Sequence, residues 1–217
     1  MSDTQTAHQA WDDRWKSEAG RAEWLEPDPQ VRHWARVAYD GGGRRALDLG
    51  CGVGRHALYI AELGFETSAL DGSVAGIEHV QQAARDHGLK IDTSVGMMTA
   101  LPYPDGHFDY VLSFNVIYHG DASIVRAAIS EIRRVLKPAG LYQGTMLSKR
   151  HGKYGLGREI APDTFVVDGD GEKDHPHHYC NATQIVDLFA GFELLSLGDS
   201  EQRKAGDWHW HLVAERL

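Results

Sequence analysis

The chain has 217 residues, 31 of them acidic and 22 basic, for a formal charge of −9; 42% are hydrophobic and 24% charged. That composition belongs to one globular domain with a true core and excludes disordered, collagenous and coiled-coil chains. The acidic balance, with no basic patch, excludes nucleic acid as an expected partner.

No run of about 18 apolar residues marks a membrane span. The polar start MSDTQTAHQAWDDRW lacks the apolar stretch of an export signal. Two widely separated cysteines, Cys51 and Cys180, without CxxC or metal-ligand spacing, suit a reducing compartment, so the expected location is cytoplasmic.

Residues 1–40 carry four of the six tryptophans (Trp11, Trp15, Trp24, Trp34) on two expected helices broken at Pro27 and Pro29, a helical cap. Trp11, Arg14 and Trp15 share one helical face. A cofactor-binding core is expected over 41–147. Its apolar runs predict strands at 45–49, 67–70, 91–95, 108–114 and 141–147. Helical patterns fall between them; the clearest spans 121–136, with Asp121 as cap and Lys137-Pro138-Ala139-Gly140 as stop. Residues 148–180, with five glycines and four histidines, read as a lid loop. The tail, 181–217, predicts a helix at 182–190 and strands at 192–197 and 208–216, joined through an acidic Gly198–Gly206 connection as an antiparallel hairpin. Alternating strands and helices imply parallel βαβ crossovers and a doubly wound α/β sheet with ligands at the strands' carboxyl ends.

The densest motif is Asp48-Leu49-Gly50-Cys51-Gly52-Val53-Gly54-Arg55, a strand ending in a glycine-rich turn. A dinucleotide fingerprint, G-x-G-x-x-G, needs glycine where Arg55 stands. The G-x-G-x-G spacing instead resembles the first motif of class I S-adenosylmethionine-dependent methyltransferases of the small bacterial, methyltransferase-11/25-like type. Asp71, in Ala69-Leu70-Asp71-Gly72-Ser73, matches the carboxylate that accepts the cofactor's ribose hydroxyls in that family. Gly96 to Asp105 resembles its adenine loop, with Met97 and Met98 where many relatives have an acid. Arg134 to Leu141 matches its helix-to-strand-five turn, with Ala139 where glycine is commoner. The similarity covers roughly residues 45–147. Leu47 to Phe65 also resembles, weakly, the tellurite-resistance methyltransferases.

The resemblance implies a seven-stranded, Rossmann-like methyltransferase sheet with helices on both faces and an antiparallel C-terminal strand, all in one domain, 1–217. It implies S-adenosylmethionine as cofactor and S-adenosylhomocysteine as product. The cofactor is expected against Arg14, Trp15, Asp48, Gly50, Cys51, Gly52, Gly54, Asp71, Gly72, Ser73, Met97, Met98, Thr99, Asn115 and Val116. Glycine in the turn is expected because a Cβ would meet the ligand. Two residues keep alternatives open: Asp48 either faces the cofactor or braces its own loop's amides, and Arg14 either pairs with the cofactor's carboxylate or is a solvated arginine.

His119, after the fourth strand, is either a base for the acceptor or a cap for the following helix. In Asp174-His175-Pro176-His177-His178-Tyr179-Cys180, the residues His177, His178 and Tyr179 are expected to line the acceptor pocket or hold the lid shut. His209 and His211 share a strand face, but no third ligand is evident, and no metal site is expected. Phe108, Phe114, Phe189 and Phe192 are expected in the core. With the cap and the lid as the segments left to shape a pocket, the acceptor is expected to be small, and a thiol or chalcogen anion is one candidate. The alternatives are oxygen or nitrogen methylation with a histidine base, or a non-catalytic cofactor-binding module. A monomer or homodimer is expected.

Overall fold

The computed structural model describes residues 5–170 and 173–217; the first four residues of the expected cap and two of the expected lid lie outside them. A central sheet runs β3(Ile91–Val95), β2(Glu66–Asp71), β1(Arg45–Leu49), β4(Phe108–Ser113), β5(Leu136–Ser148). These five strands pair in parallel. Beyond β5 lie β10(Trp208–Arg216), antiparallel to it, and then β9(Phe192–Glu201). These seven strands are the expected sheet.

Alternation along the strands explains how helices cover both faces. Leu47, Leu49 and Val111 pack in one core with Val125, Ile129 and Ile132 of α6(Ala122–Val135) and Ile185 of α7(Ala182–Leu188). Ala46, Tyr110 and Leu112 face the other way, onto Val31 and Ala35 of α3(Pro29–Asp40) and Ile60 of α4(Arg55–Glu62). Ile77 and Val80 of α5(Val74–Asp86) join Ala57 and Ala69 beside them. A helix of 14 residues such as α6 is marginal in isolation. Each fully buried Ile or Val on its inner face contributes roughly 1.5–3 kcal/mol, so packing holds it. Asp121 caps it, accepting from the amides of Ser123 and Ile124.

The structure differs from expectation at the margins. The cap folds as α1(Ala7–Trp15), α2(Glu18–Arg21), a 3-10 turn at Ala22–Trp24 and α3, because Ser17 caps α2 and Asp28 caps α3 with Pro29 at its first position. β5 starts at Leu136 rather than 141, with a register shift against β4 and Ala139 in the left-handed region at φ 60°. Among its described residues, the segment expected as a lid contains three short strands, β6(Arg158–Ala161), β7(Thr164–Val166) and β8(His177–Cys180). β10 occupies one edge of β5, so β8 pairs at Leu147 and Ser148 on the edge that β4 leaves beyond Ser113. β9 continues to Glu201, shortening the expected connection. Among the described residues, no helix is long and apolar enough to cross a membrane.

Candidate active site

The carboxyl ends of β1, β2 and β4 converge on a cavity. Its floor is the turn after β1. Gly50 and Gly52 adopt φ of 69° and 53°, and the Gly50 and Cys51 amides both donate to the Leu70 carbonyl. A Cβ on Gly50 would run into the methyls of Val116, and one on Gly52 would lie 3.2 Å from the Trp15 ring. Glycine is therefore favoured here by backbone conformation, and at Gly50 also by its protein neighbours.

Asp71 ends β2 at the cavity wall. Its Oδ2 accepts from the Gly52 amide at 2.7 Å and its Oδ1 from the Ser73 amide at 2.8 Å. Burial raises its pKa, and those backbone donors and the nearby His8 oppose the rise. The Gly72 amide also acts on it, and the lone-pair capacity left is open to a ligand.

Helix α1 roofs the cavity. Asp12 docks it onto the start of α5, accepting from the Ser73 hydroxyl at 2.8 Å and the Ala75 amide at 2.9 Å. The Ala75 amide is the main reason the Asp12 pKa falls to about 2. This contact holds Trp11 and Trp15, stacked at 5.0 Å, and brings both against Trp24.

On the β4 side, Asn115 sits at φ 63°, a conformation Asn tolerates better than most residues. The Asn115 amide donates to Thr145 Oγ1, whose hydroxyl donates back to Asn115 Oδ1, and the Gln202 side chain pairs with the Asn115 carboxamide through two bonds of 3.1 Å.

The cavity wall brings together Trp15, Gly50, Cys51, Gly52, Asp71, Gly72, Met97, Met98, Asn115, Val116 and His119 from the residues expected there. Others lie elsewhere, each for a visible reason. Arg14 is taken up by the Gly20 carbonyl, 3.3 Å from its Nε, and by the faces of Trp11 and Trp24. Asp48 is buried beside α4, where burial lifts its pKa to about 7 against Arg55 and the Ala57 amide, and it is not on the cavity wall. Gly54 and Ser73 are the N-caps of α4 and α5, and Thr99 bonds Gln5 at 3.0 Å. His178 is tied to Thr164 at 3.0 Å, and Tyr179, 1% exposed, belongs to the core, so neither lines the cavity. His177 lies against His119 rather than on the wall, ring centroids 4.9 Å apart.

Sequence reasoning missed several wall residues, among them His8, Arg55, His56 and Phe114. Phe114 is buried, as expected of a core ring, yet one face borders the cavity. Arg55 is the arginine that lines the wall. Its guanidinium lies over Trp24 at 5.1 Å and Phe114 at 5.8 Å, and burial lowers its pKa to about 10, so it stays charged at neutral pH. Its place immediately after Gly54, at the first position of α4, was the available signal.

Residues 46–140 match the family described as "Methyltransferase domain". A sterol 24-C-methyltransferase of Gibberella zeae is 30% identical over 85% of this chain and 50% of its own length. A probable S-adenosylmethionine-dependent methyltransferase of Mycolicibacterium smegmatis is 35% identical over 74% of this chain and 56% of its own. A solved S-adenosylmethionine-dependent methyltransferase of Methanosarcina mazei superposes with a TM-score of 0.74 at 22% identity, covering 89% of this chain and 99% of that one.

The chain belongs to the class I S-adenosylmethionine-dependent methyltransferases. It spans about half the length of the curated relatives it matches. The cavity of this methyltransferase domain fits the family's cofactor on its own chemistry. A carboxylate stands at the end of β2, and the buried His8 Nδ1, Trp11 Nε1 and Trp24 Nε1, all on wall residues, have no hydrogen-bond partner among the described residues.

Proposed function

We propose that this methyltransferase moves the methyl group of S-adenosylmethionine to a small, soft nucleophile seated between Trp11, Trp24, Phe114 and His119. The observation that carries this reading is the character of the wall on the β4 side of β1. It is built from indole, phenyl and imidazole faces, and among the described lining residues the one carboxylate, Asp71, stands across β1 at the end of β2. A hydroxyl acceptor is best served by a carboxylate or a carboxylate-oriented imidazole as base. A thiolate or chalcogen anion arrives already nucleophilic and gains most from an aromatic, dry enclosure. Small size follows because cofactor and acceptor share one cavity under α1.

The bound cofactor supplies an electrophilic methyl on a positively charged sulfur. Asp71 accepts from the ribose hydroxyls, Met97 and Met98 pack on the adenine, and Arg55 pairs with the carboxylate of the amino-acid end. The tryptophans exclude water and hold the acceptor in line, so positioning and desolvation do most of the work.

The test is a panel of small thiols, chalcogen anions, phenols and amines scored by S-adenosylhomocysteine release. Turnover is expected with thiols or chalcogen anions at rates well above the rest. Turnover confined to phenols or amines, or with none of the panel, rejects this acceptor class.

A further inference from the structure

We propose that His119, His175 and His177 form a binding site for a divalent transition metal of the zinc class, next to the cofactor cavity. The three residues are buried, and one nitrogen from each can be chosen so that all lie within 4.8 Å of one another. Their ring centroids stand 4.3–5.0 Å apart. Three imidazoles on one ion, with a further position open, are a known zinc arrangement, and imidazole suits zinc, copper, nickel and cobalt alike.

The backbone fixes this convergence. His119 and His177 form an antiparallel bridge, the Gly120 amide donates to the Pro176 carbonyl at 3.0 Å, and the His178 amide donates to the Tyr118 carbonyl at 2.9 Å. The loop after β4 and the start of β8 are thus stapled together, and two of the ligands are placed before any ion arrives.

Ring chemistry points the same way. His177 Nδ1 lies 2.6 Å from the His175 carbonyl, which can only accept, so that nitrogen carries the proton and the lone pair is on Nε2. Such a bond from the far nitrogen to a carbonyl is what orients metal-ligating imidazoles. His177 Nε2 and His175 Nε2 are buried with no hydrogen-bond partner among the described residues, and His175 Nδ1 faces Asp174 Oδ1 at 3.7 Å. A purely packed histidine cluster leaves these nitrogens unanswered.

Lys173 lies close enough to act electrostatically on all three rings, with its Nζ 5.8 Å from the centre of the Tyr118 ring. Asp207, on which Lys173 also acts, and Asp174, whose Oδ1 is 3.7 Å from His175 Nδ1, offset part of that charge. Both carboxylates thus counter the repulsion that Lys173 exerts on a bound cation, and three imidazoles leave one position on such an ion open. His119 lies on the cavity wall, so that position faces the acceptor, and this last step alone rests on the methyl-transfer reading.

The experiment uses the full chain without a histidine tag, stripped with a chelator and titrated with Zn²⁺ by calorimetry and with Co²⁺ by visible absorption. One equivalent is expected to bind, with cobalt bands of tetrahedral or five-coordinate type. His175→Ala and His177→Ala should each weaken binding by more than about a hundredfold, beyond the roughly 10–100-fold that loss of a supporting group costs. His178→Gln, one residue away but bonded to Thr164, should leave it within a few-fold. Stoichiometric binding that survives in both alanine variants, or no cobalt spectrum in the wild-type protein, overturns the site; the latter applies even where the variants fail to fold. S-adenosylhomocysteine affinity, measured in parallel on the stripped protein, separates the two readings: its loss counts against methyl transfer and leaves the metal result standing.

Discussion

The Gly52 amide donates to Asp71 Oδ2 at 2.7 Å, so the glycine turn after β1 is held by the carboxylate that ends β2. One side chain thus shapes the floor of the cavity and presents its remaining lone pairs to the cavity. Asp71→Ala should weaken affinity for S-adenosylhomocysteine by tenfold or more, because two ribose hydroxyls lose their acceptor and the turn loses a brace. Calorimetry checks this, with circular dichroism to confirm folding; unchanged affinity would remove Asp71 from the site.

Arg55 and Arg14 make a contrasting pair. Arg55→Gln should lower affinity for S-adenosylhomocysteine by about 10–100-fold while leaving adenosine affinity nearly intact, since a charge-assisted bond to the carboxylate is lost and the nucleoside contacts are not. Arg14→Gln, whose guanidinium lies over Trp11 and Trp24, should change both by only a few-fold. Equal losses of both ligands in Arg55→Gln would reject its assigned partner.

Gly50 and Gly88 share a left-handed conformation, φ 69° and 66°, but differ in surroundings: a Cβ on Gly50 meets Val116, whereas one on Gly88 meets nothing within 4 Å. Gly88→Ala should cost about 1–2 kcal/mol from backbone strain alone. Gly50→Ala should cost at least about twice that, read by urea unfolding. Equal costs would mean that Val116 moves aside freely.

Asp12 should make the docking of α1 sensitive to acid. Its folded pKa of about 2 lies below the ordinary 3.8, so its contribution is fully present above pH 4 and lost as pH falls towards 2. Tryptophan fluorescence of the wild type should change across that window, and Asp12→Asn should lack this component.

Asp48 has the opposite sign. Burial raises its pKa from 3.8 to about 7, so the folded state binds more protons than the unfolded state between those values. Its effect is to lower stability as pH rises from about 4 to 7. The difference in unfolding free energy between Asp48→Asn and wild type should therefore grow in favour of the variant over that interval. A difference independent of pH would show that Asp48 titrates normally.

How far the sequence could be read depends on the range of the forces involved. The βα alternation, the glycine turn, Asp71 and the Asp121 cap are local patterns, and α6 follows within a residue or two from its own apolar spacing. The strands of the lid were illegible because β7 and β8 are three and four residues long and exist through pairing with distant partners. In the sequence Arg14 stays open between two readings and Arg55 is passed over, since which arginine meets the cavity depends on how the cap packs against α4.

By itself, then, the sequence determined the parallel sheet, its order of strands and helices, and the family, because each is written in short-range periodicity and turn chemistry. The tertiary structure alone decided which aromatic faces close over the cavity. It also brought His119 to His175 and His177 across half the lid. Such contacts join residues far apart in the chain, and their geometry is set by how the sheet edge and the loops pack, which no local pattern encodes.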